Sequence, residues 1–258
     1  MIVDQSHWGL VAVSGSDRMR FLHGLCTGNV LRLEIGSWFR TSMLNAKGRV
    51  VSVFDVINRG PELLLICEWS LRDKTDGLLH KFAIADDVDV RPTQLEVYRV
   101  WDSPQAVWHA PPIFGSPPDR GASESEVEVR RIEAGLPKYD VDVGEANFPF
   151  ETPLAKLIDY EKGCYIGQEP IARVHARGSA NKLLVGLRVA GDGEIAVGEQ
   201  VEHSSRANAG TVMSAAMSPD FGPIALAYLH KGLWEPGTEV RVAKRAAIVA
   251  ELPFARSG

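Results

Sequence analysis

The chain has 258 residues, 45% of them hydrophobic and 24% charged, a globular composition long enough for one large core or two to three smaller ones. A net charge of −5 argues against non-specific nucleic-acid binding, which needs a basic surface, so no direct nucleic-acid contact is expected. No run approaches the ~18 consecutive apolar residues of a membrane span, the amino terminus lacks the pattern of a signal peptide, and three scattered cysteines with no Cys-x-x-Cys pair predict a reducing, cytoplasmic setting without a disulfide framework or zinc ribbon.

Residues 8–13 alternate loosely and read as a strand. Ser14 to Asp17 offer caps for a helix carrying Met19, Leu22, Leu25 and Cys26 at helical spacing. Trp38 to Leu44 reads as a strand, Asn45 to Gly48 as a turn, and Arg49 to Ile57 as a β-branched strand. A hairpin turn at Asn58–Pro61 returns the chain along 62–68. Ser70 with Asp73 resembles a capping box for a helix whose face carries Leu71, Thr75, Leu78, Leu79 and Phe82. Strands follow at 88–91 and 95–101, completing a compact α+β unit. Residues 103–126, rich in Pro, Ser, Gly and acids, read as a loop or linker, and Glu128 to Ile132 as a strand. Thr152 to Leu157 predicts a short helix opened by Pro153. From about 182 onward, short β-rich runs at 183–189, 199–203, 211–213, 224–228, 239–242 and 246–252 alternate with Gly and Pro turns, the pattern of a small β-barrel or sandwich.

Three patches carry chemistry. Residues 162–169 read Lys-Gly-Cys-Tyr-Ile-Gly-Gln-Glu, a thiol, a cation, a phenol, an amide and a carboxylate around Gly163 and Gly167, which permit a sharp bend or close approach of a ligand. Beyond it, Glu169, Arg173 and Arg177 recur every four residues, one face of a helix with Pro170 in its first turn. In a strand, Arg131 and Glu133 share a face and could present a cation and a carboxylate to a polar heterocycle, or simply pair with each other. The third patch is the basic turn Thr41–Arg49. His23 and Cys26, three apart on a helix, could share a metal, although a core-facing cysteine is the commoner arrangement. Cys67 ends an apolar strand and is expected buried, and His175 lies near the octet.

Together these patches resemble the YgfZ-type folate-binding proteins, relatives of the glycine-cleavage aminomethyltransferase (T-protein, GcvT). The octet Lys162–Glu169, the Arg131–Gly135 segment, the Lys47-Gly48-Arg49 turn and Gly15, Asp17, Phe21 and Leu22 carry the likeness. The resemblance implies an α+β fold of three lobes in a ring around a folate channel: 1–48 with 127–181 as a discontinuous folate-binding core, 49–126 as a ferredoxin-like α+β subdomain, and 182–258 as a C-terminal β-barrel. It implies tetrahydrofolate or a derivative as cofactor. It also implies iron–sulfur proteins, including tRNA-modifying enzymes, as beneficiaries. On that reading Glu133 accepts from the pterin edge beside Arg131. Met43 and Tyr165 pack the rings, Arg173 or Arg177 meets the glutamyl tail, and Asn45, Gln168 and Glu169 complete the lining. Lys162, Gly163 and Gly167 shape the bend, and Lys162, two residues from Cys164, favours the thiolate as reactive group or transient iron ligand. The transferase branch has an acid where this chain has Ser52, which cannot supply a carboxylate's charge; Asp55 lies three residues on, with the opposite strand face. A folate-dependent aminomethyl or one-carbon transferase, and a non-catalytic scaffold that docks a partner on the octet, are the alternatives.

Overall fold

The computed structural model describes residues 1–118, 121–178 and 180–255, with the backbone alone of Arg177. In chain order it runs β1 (Ile2–Asp4), β2 (Gly9–Ser14), α1 (Arg18–Leu25), β3 (Trp38–Leu44), β4 (Val50–Asn58), β5 (Glu62–Cys67), α2 (Arg72–Phe82), β6 (Asp89–Thr93), β7 (Val97–Val100), α3 (Ala106–His109), β8 (Ile113–Phe114), α4 (Glu124–Ala134) and α5 (Gln168–Arg177). The C-terminal part holds β9 (Lys182–Val189), β10 (Gln200–His203), β11 (Arg206–Ser218), β12 (Gly222–His230), β13 (Glu239–Val242) and β14 (Arg245–Ala250).

The central sheet is antiparallel in the order β3-β4-β5-β2-β6. Without β3, its order β4-β5-β2-β6, crossed over by α1 and α2, is ferredoxin-like; β3 adds an edge strand. β2 sits between β5 and β6, so the sheet joins chain on both sides of position 48. Strand alternation divides the leucine-rich runs between two cores. Val11, Val13, Phe54, Val56, Leu63 and Leu65 pack under α1 and α2 with Leu22 and Leu79, whereas Leu10, Ile57, Leu64 and Ile66 meet Val97 on the opposite face. β1, β7 and β8 form a small sheet beside that second face.

The C-terminal strands close into a barrel, β10-β11-β12-β9-β14-β13. Val240 and Val242 point inward with Leu187, Val201, Val212 and Leu229, while Glu239 and Arg241 between them point out. All six predicted β runs are present; β11 extends well beyond residues 211–213 and carries a bulge between Val212 and Ser214.

Three sequence expectations need correction. The strand predicted at 128–132 is part of helix α4. Ser123 caps it, its hydroxyl accepting from the Glu126 N–H while the Glu126 carboxylate accepts from the Ser123 N–H, and Gly135 closes it at φ 66°. The segment 103–126 is also not a plain loop, since it holds α3, β8 and the start of α4. Ser70 lies inside a 3₁₀ turn, Trp69–Leu71, and makes no cap for α2. The short helix expected at 152–157 is present as a 3₁₀ helix, Pro153–Leu157, with Pro153 in its first turn and the Thr152 hydroxyl accepting from the Leu154 N–H at 3.2 Å.

Candidate functional site

Two of the three sequence patches meet. Gly167 sits at φ 81° as the residue before α5, and a Cβ there would lie 2.4 Å from the Asn45 carbonyl oxygen and 2.9 Å from Leu44 Cβ. Only glycine lets the octet press this closely on the 45–48 turn. The turn is held from within, the Asn45 side-chain oxygen accepting from the Lys47 and Arg49 N–H groups at 2.9 and 3.1 Å. Arg49 lays its guanidinium 3.6 Å from the Phe148 ring centre and donates to the Ala146 carbonyl.

Lys162 turns inward, away from a role beside the thiol. Its Nζ donates to the carbonyls of His23, Cys26 and Gly28 at 2.6, 2.6 and 2.7 Å, tying the octet to the end of α1 and the loop after it. Burial pushes its ammonium below the usual lysine value, opposed by the neighbouring Cys26 and Asp159. Burial, helped by Lys162, likewise lowers His23. Tyr165 is a core residue, its phenol pushed up to about 12 by burial. At the bend itself Cys164 is exposed, whereas Cys26 and Cys67 are buried thiols raised by desolvation, Cys67 to about 12. Cys26 Sγ faces the Gly28 carbonyl at 3.6 Å, and among the described residues no group of three or more His, Cys, Asp or Glu side chains is arranged to hold a metal. On α5, Gln168 is half-buried and Glu169 pairs with Arg173 at 2.7 Å in the open. His175 stacks on Tyr160, ring centres 3.9 Å apart. The side chain of Arg177 lies outside the described residues.

The remaining patch, Arg131 with Glu133, is elsewhere and does not act as one surface. In a helix, residues two apart point about 200° from each other, so Arg131 and Glu133 part company. Arg131 donates to Asp142 (2.6 Å), Leu136 O, Glu128 and Ser214 of β11, stapling α4 to the barrel. Glu133, 1% exposed, accepts from the Ser218 hydroxyl at 2.6 Å and pairs with Arg130 at 3.0 Å. Met43 also departs from its expected place against a ligand ring. The β3–β4 register sets it opposite Ser52, on the face covered by α1 and α2, and it is 1% exposed. Ser52 shares a 2.7 Å hydrogen bond with Thr75 of α2. Asp55 faces the other way, as strand parity requires.

That other face borders a cavity of 570 Å³ that no local sequence pattern announced. Trp38, Phe39 and Arg40 of β3, Trp108 of α3, and Lys156 and Asp159 line it. The Trp108 indole N–H donates to Ala134 O at 2.8 Å, which fixes its ring. The octet does not line this cavity but braces it. Gly28, whose carbonyl Lys162 holds, is part of the wall. So is Asp159, which accepts from the N–H groups of Glu161 and Lys162 and from the Asn29 side chain. The available sequence signal was the Trp38-Phe39-Arg40 string on a strand; Trp108 fell in the segment read as loop.

A family model of the glycine cleavage T-protein C-terminal barrel domain matches residues 182–255. A tRNA-modifying protein YgfZ from Cronobacter sakazakii is 24% identical over 293 residues, covering 95% of this chain and 89% of the relative. An aminomethyltransferase from Saccharopolyspora erythraea is 35% identical over 164 residues, 60% of this chain and 44% of that protein. The crystal structure of glycine cleavage system aminomethyltransferase T from Bartonella henselae superimposes with a TM-score of 0.83 at 19% identity, over 98% of this chain and 86% of that one. The barrel match over residues 182–255 and the YgfZ relatives that span most of the chain support a YgfZ-type protein of the glycine-cleavage T-protein superfamily, and the Bartonella enzyme shares its fold.

Proposed function

We propose that the protein binds a reduced folate and, with the exposed thiol of Cys164, serves the assembly or maintenance of iron–sulfur proteins, tRNA-modifying enzymes among them. The observation that carries the folate reading is the cavity. Its 570 Å³ falls within the usual range for a drug-sized ligand, roughly 300–1,000 Å³. Three aromatic faces, Trp38, Phe39 and Trp108, suit the pterin and aminobenzoyl rings of tetrahydrofolate, and Arg40 and Lys156 suit its anionic end. The relatives add the direction: one carries the name tRNA-modifying protein YgfZ, another aminomethyltransferase. When bound, tetrahydrofolate would supply one-carbon and reducing chemistry; the chain's own residues hold its rings and exclude water.

Cys164 stands exposed on a bend that Lys162 and Gly167 hold in place. The thiolate is the reactive form of cysteine, and an exposed, braced sulfur suits transient contact with a client's iron or a redox exchange. Transferase activity is the weaker reading, because Ser52 is neutral and its hydroxyl is spent on Thr75 inside the core.

Calorimetric titration with tetrahydrofolate, followed in parallel by tryptophan fluorescence, tests the folate reading. The wild type is expected to bind saturably, and Trp108→Ala to lose about tenfold or more in affinity. Absence of binding in the wild type, or unchanged affinity in Trp108→Ala, overturns it. For the thiol, full restoration of iron–sulfur tRNA-modifying activity by Cys164→Ala, in cells lacking the protein, would remove Cys164 from the mechanism.

A further inference from the structure

We infer that the crevice between the outer face of the barrel and the loop 144–147 is a second ligand site, built for a phosphate monoester of a small hydroxylated body. It shares no lining residue with the aromatic cavity and does not depend on the folate reading.

The strand register puts the donors on one face. Lys182 of β9 is the partner of His230 on β12, and Tyr228 of β12 is the partner of Thr211 on β11. Cross-strand partners share a face, as do residues two apart on one strand. Lys182, His230, Tyr228 and Thr211 therefore project from the same side of three neighbouring strands. The residues between them settle which side it is: Leu229 and Val212 fill the barrel interior, so these four point out of the barrel. Ala146 and Asn147 form the opposite wall and close a cavity of 400 Å³. The Tyr228 hydroxyl donates to the Asp142 carbonyl at 2.9 Å, and the Asn147 side-chain oxygen accepts from the Gly144 N–H at 3.1 Å, which hold ring and amide in place. Lys182 Nζ stands 4.4 Å from the centre of that ring. By leaning over Tyr228 it carries its ammonium from β9 toward Thr211 on β11.

The lining holds a lysine, a histidine, two amides and a hydroxyl, but no carboxylate and no arginine. In a chain of net charge −5, an acid-free cavity with a cation in its wall selects anions. Lys182 has no ion-pair partner among the described residues, and the side chains of His230, Asn208 and Thr211 make no hydrogen bond to another described residue. Their polar atoms are free for a ligand. Arg49, which donates to the Ala146 carbonyl, is spent there and on the Phe148 ring. The donor set also discriminates between anions. A planar carboxylate is matched by the parallel N–H groups of an arginine fork, which this wall lacks, whereas a lysine ammonium is a point charge. An ammonium, an imidazole and a hydroxyl from three strands approach a group from different directions, which suits the tetrahedral oxygens of a phosphate. The volume lies in the lower part of the usual range for ligand cavities, roughly 300–1,000 Å³, and exceeds what an inorganic ion needs. Asn208 offers an amide to the hydroxyl groups of the remaining body.

The test titrates ribose 5-phosphate, ribose and ribonate into the full-length protein by calorimetry. The three share a hydroxylated body and carry a phosphate, no charge and a carboxylate. The wild type is expected to bind ribose 5-phosphate saturably, about tenfold or more tighter than either of the others, and added salt should weaken that binding. Lys182→Gln should lose most of the preference and Thr211→Val part of it, with circular dichroism reporting the fold of each. Lys156→Gln, on the wall of the other cavity, should keep the preference in full. Three results overturn the site: no binding of ribose 5-phosphate by the wild type, equal affinity for ribose or ribonate, or a tenfold preference that survives in folded Lys182→Gln. A Lys182-dependent preference together with no binding of tetrahydrofolate would sink the folate reading and leave this site standing.

Discussion

Replacing Lys162 by Met removes the clamp between the octet and the cavity wall while keeping most of the side-chain volume. Three charge-assisted hydrogen bonds disappear, to the carbonyls of His23, Cys26 and Gly28. Bonds to charged groups contribute about 1.5–3 kcal/mol each, and a buried acceptor left without a partner costs about 1–3 kcal/mol. Against this, the ammonium no longer has to be desolvated, which returns several kcal/mol. The net loss should be about 2–4 kcal/mol, a drop in Tm of roughly 5–12 °C for a chain of this size. Urea unfolding and calorimetry measure it. Cys164→Ala, two residues away and exposed, is the control and should stay within about 0.5 kcal/mol of the wild type. If Lys162→Met is as stable as that control, Lys162 is not a structural clamp and its inward placement carries no weight.

Gly167→Ala should cost about 2–4 kcal/mol in the same assay, because its φ of 81° is unfavourable for an L side chain and the new Cβ would sit 2.4 Å from Asn45 O; a neutral result would mean the octet and the turn can separate freely. Ser52→Asp buries a carboxylate beside Thr75 and should destabilise by several kcal/mol without creating aminomethyl transfer in an assay with tetrahydrofolate; gain of transfer would put position 52 against the ligand. Burial alone would raise Asp55, but Arg40 and Arg99 outweigh it and hold its carboxyl below the usual 3.8. A lowered folded-state value means that the stability it supplies is present above about pH 4 and lost as pH falls through that lower value. Asp55→Asn should therefore cost about 3–5 kcal/mol at pH 7 and flatten the fall in urea midpoint between pH 4 and pH 2; parallel acid limbs in the two proteins would contradict the shared pairing.

The barrel was legible because its strands obey a local rule. Val240 and Val242 alternate with Glu239 and Arg241, and turns interrupt each run. α4 was misread for a comparable reason. The β-branched Val127, Val129 and Ile132 among charges imitate a strand, and the stronger signals, the Ser123–Glu126 capping box and Gly135, lay at the edges of the window. Met43 shows a different limit. β3 is covered on both faces, so parity says that Met43 and Arg40 point opposite ways but not which one meets the helices. The cavity was beyond any local reading, because its walls come from five separate stretches of chain, around 28, 39, 107, 157 and 253.

The most distinctive residues of the sequence are thus not the ones that touch the cavity. Lys162 and Gly167 act one step away, the first through the Gly28 carbonyl and the second by admitting the turn that ends β3, the strand carrying Trp38, Phe39 and Arg40. A brace and a contact respond differently to substitution. Removing an exposed contact such as Lys156 should weaken an anionic ligand while leaving global stability nearly intact. Loosening the brace through Lys162 should lower stability and affinity together, and for charged and neutral aromatic probes alike, since the whole wall shifts. If Lys162→Met instead weakened only the charged probe, the ammonium would be reaching the ligand directly, and the division between brace and contact would have to be redrawn.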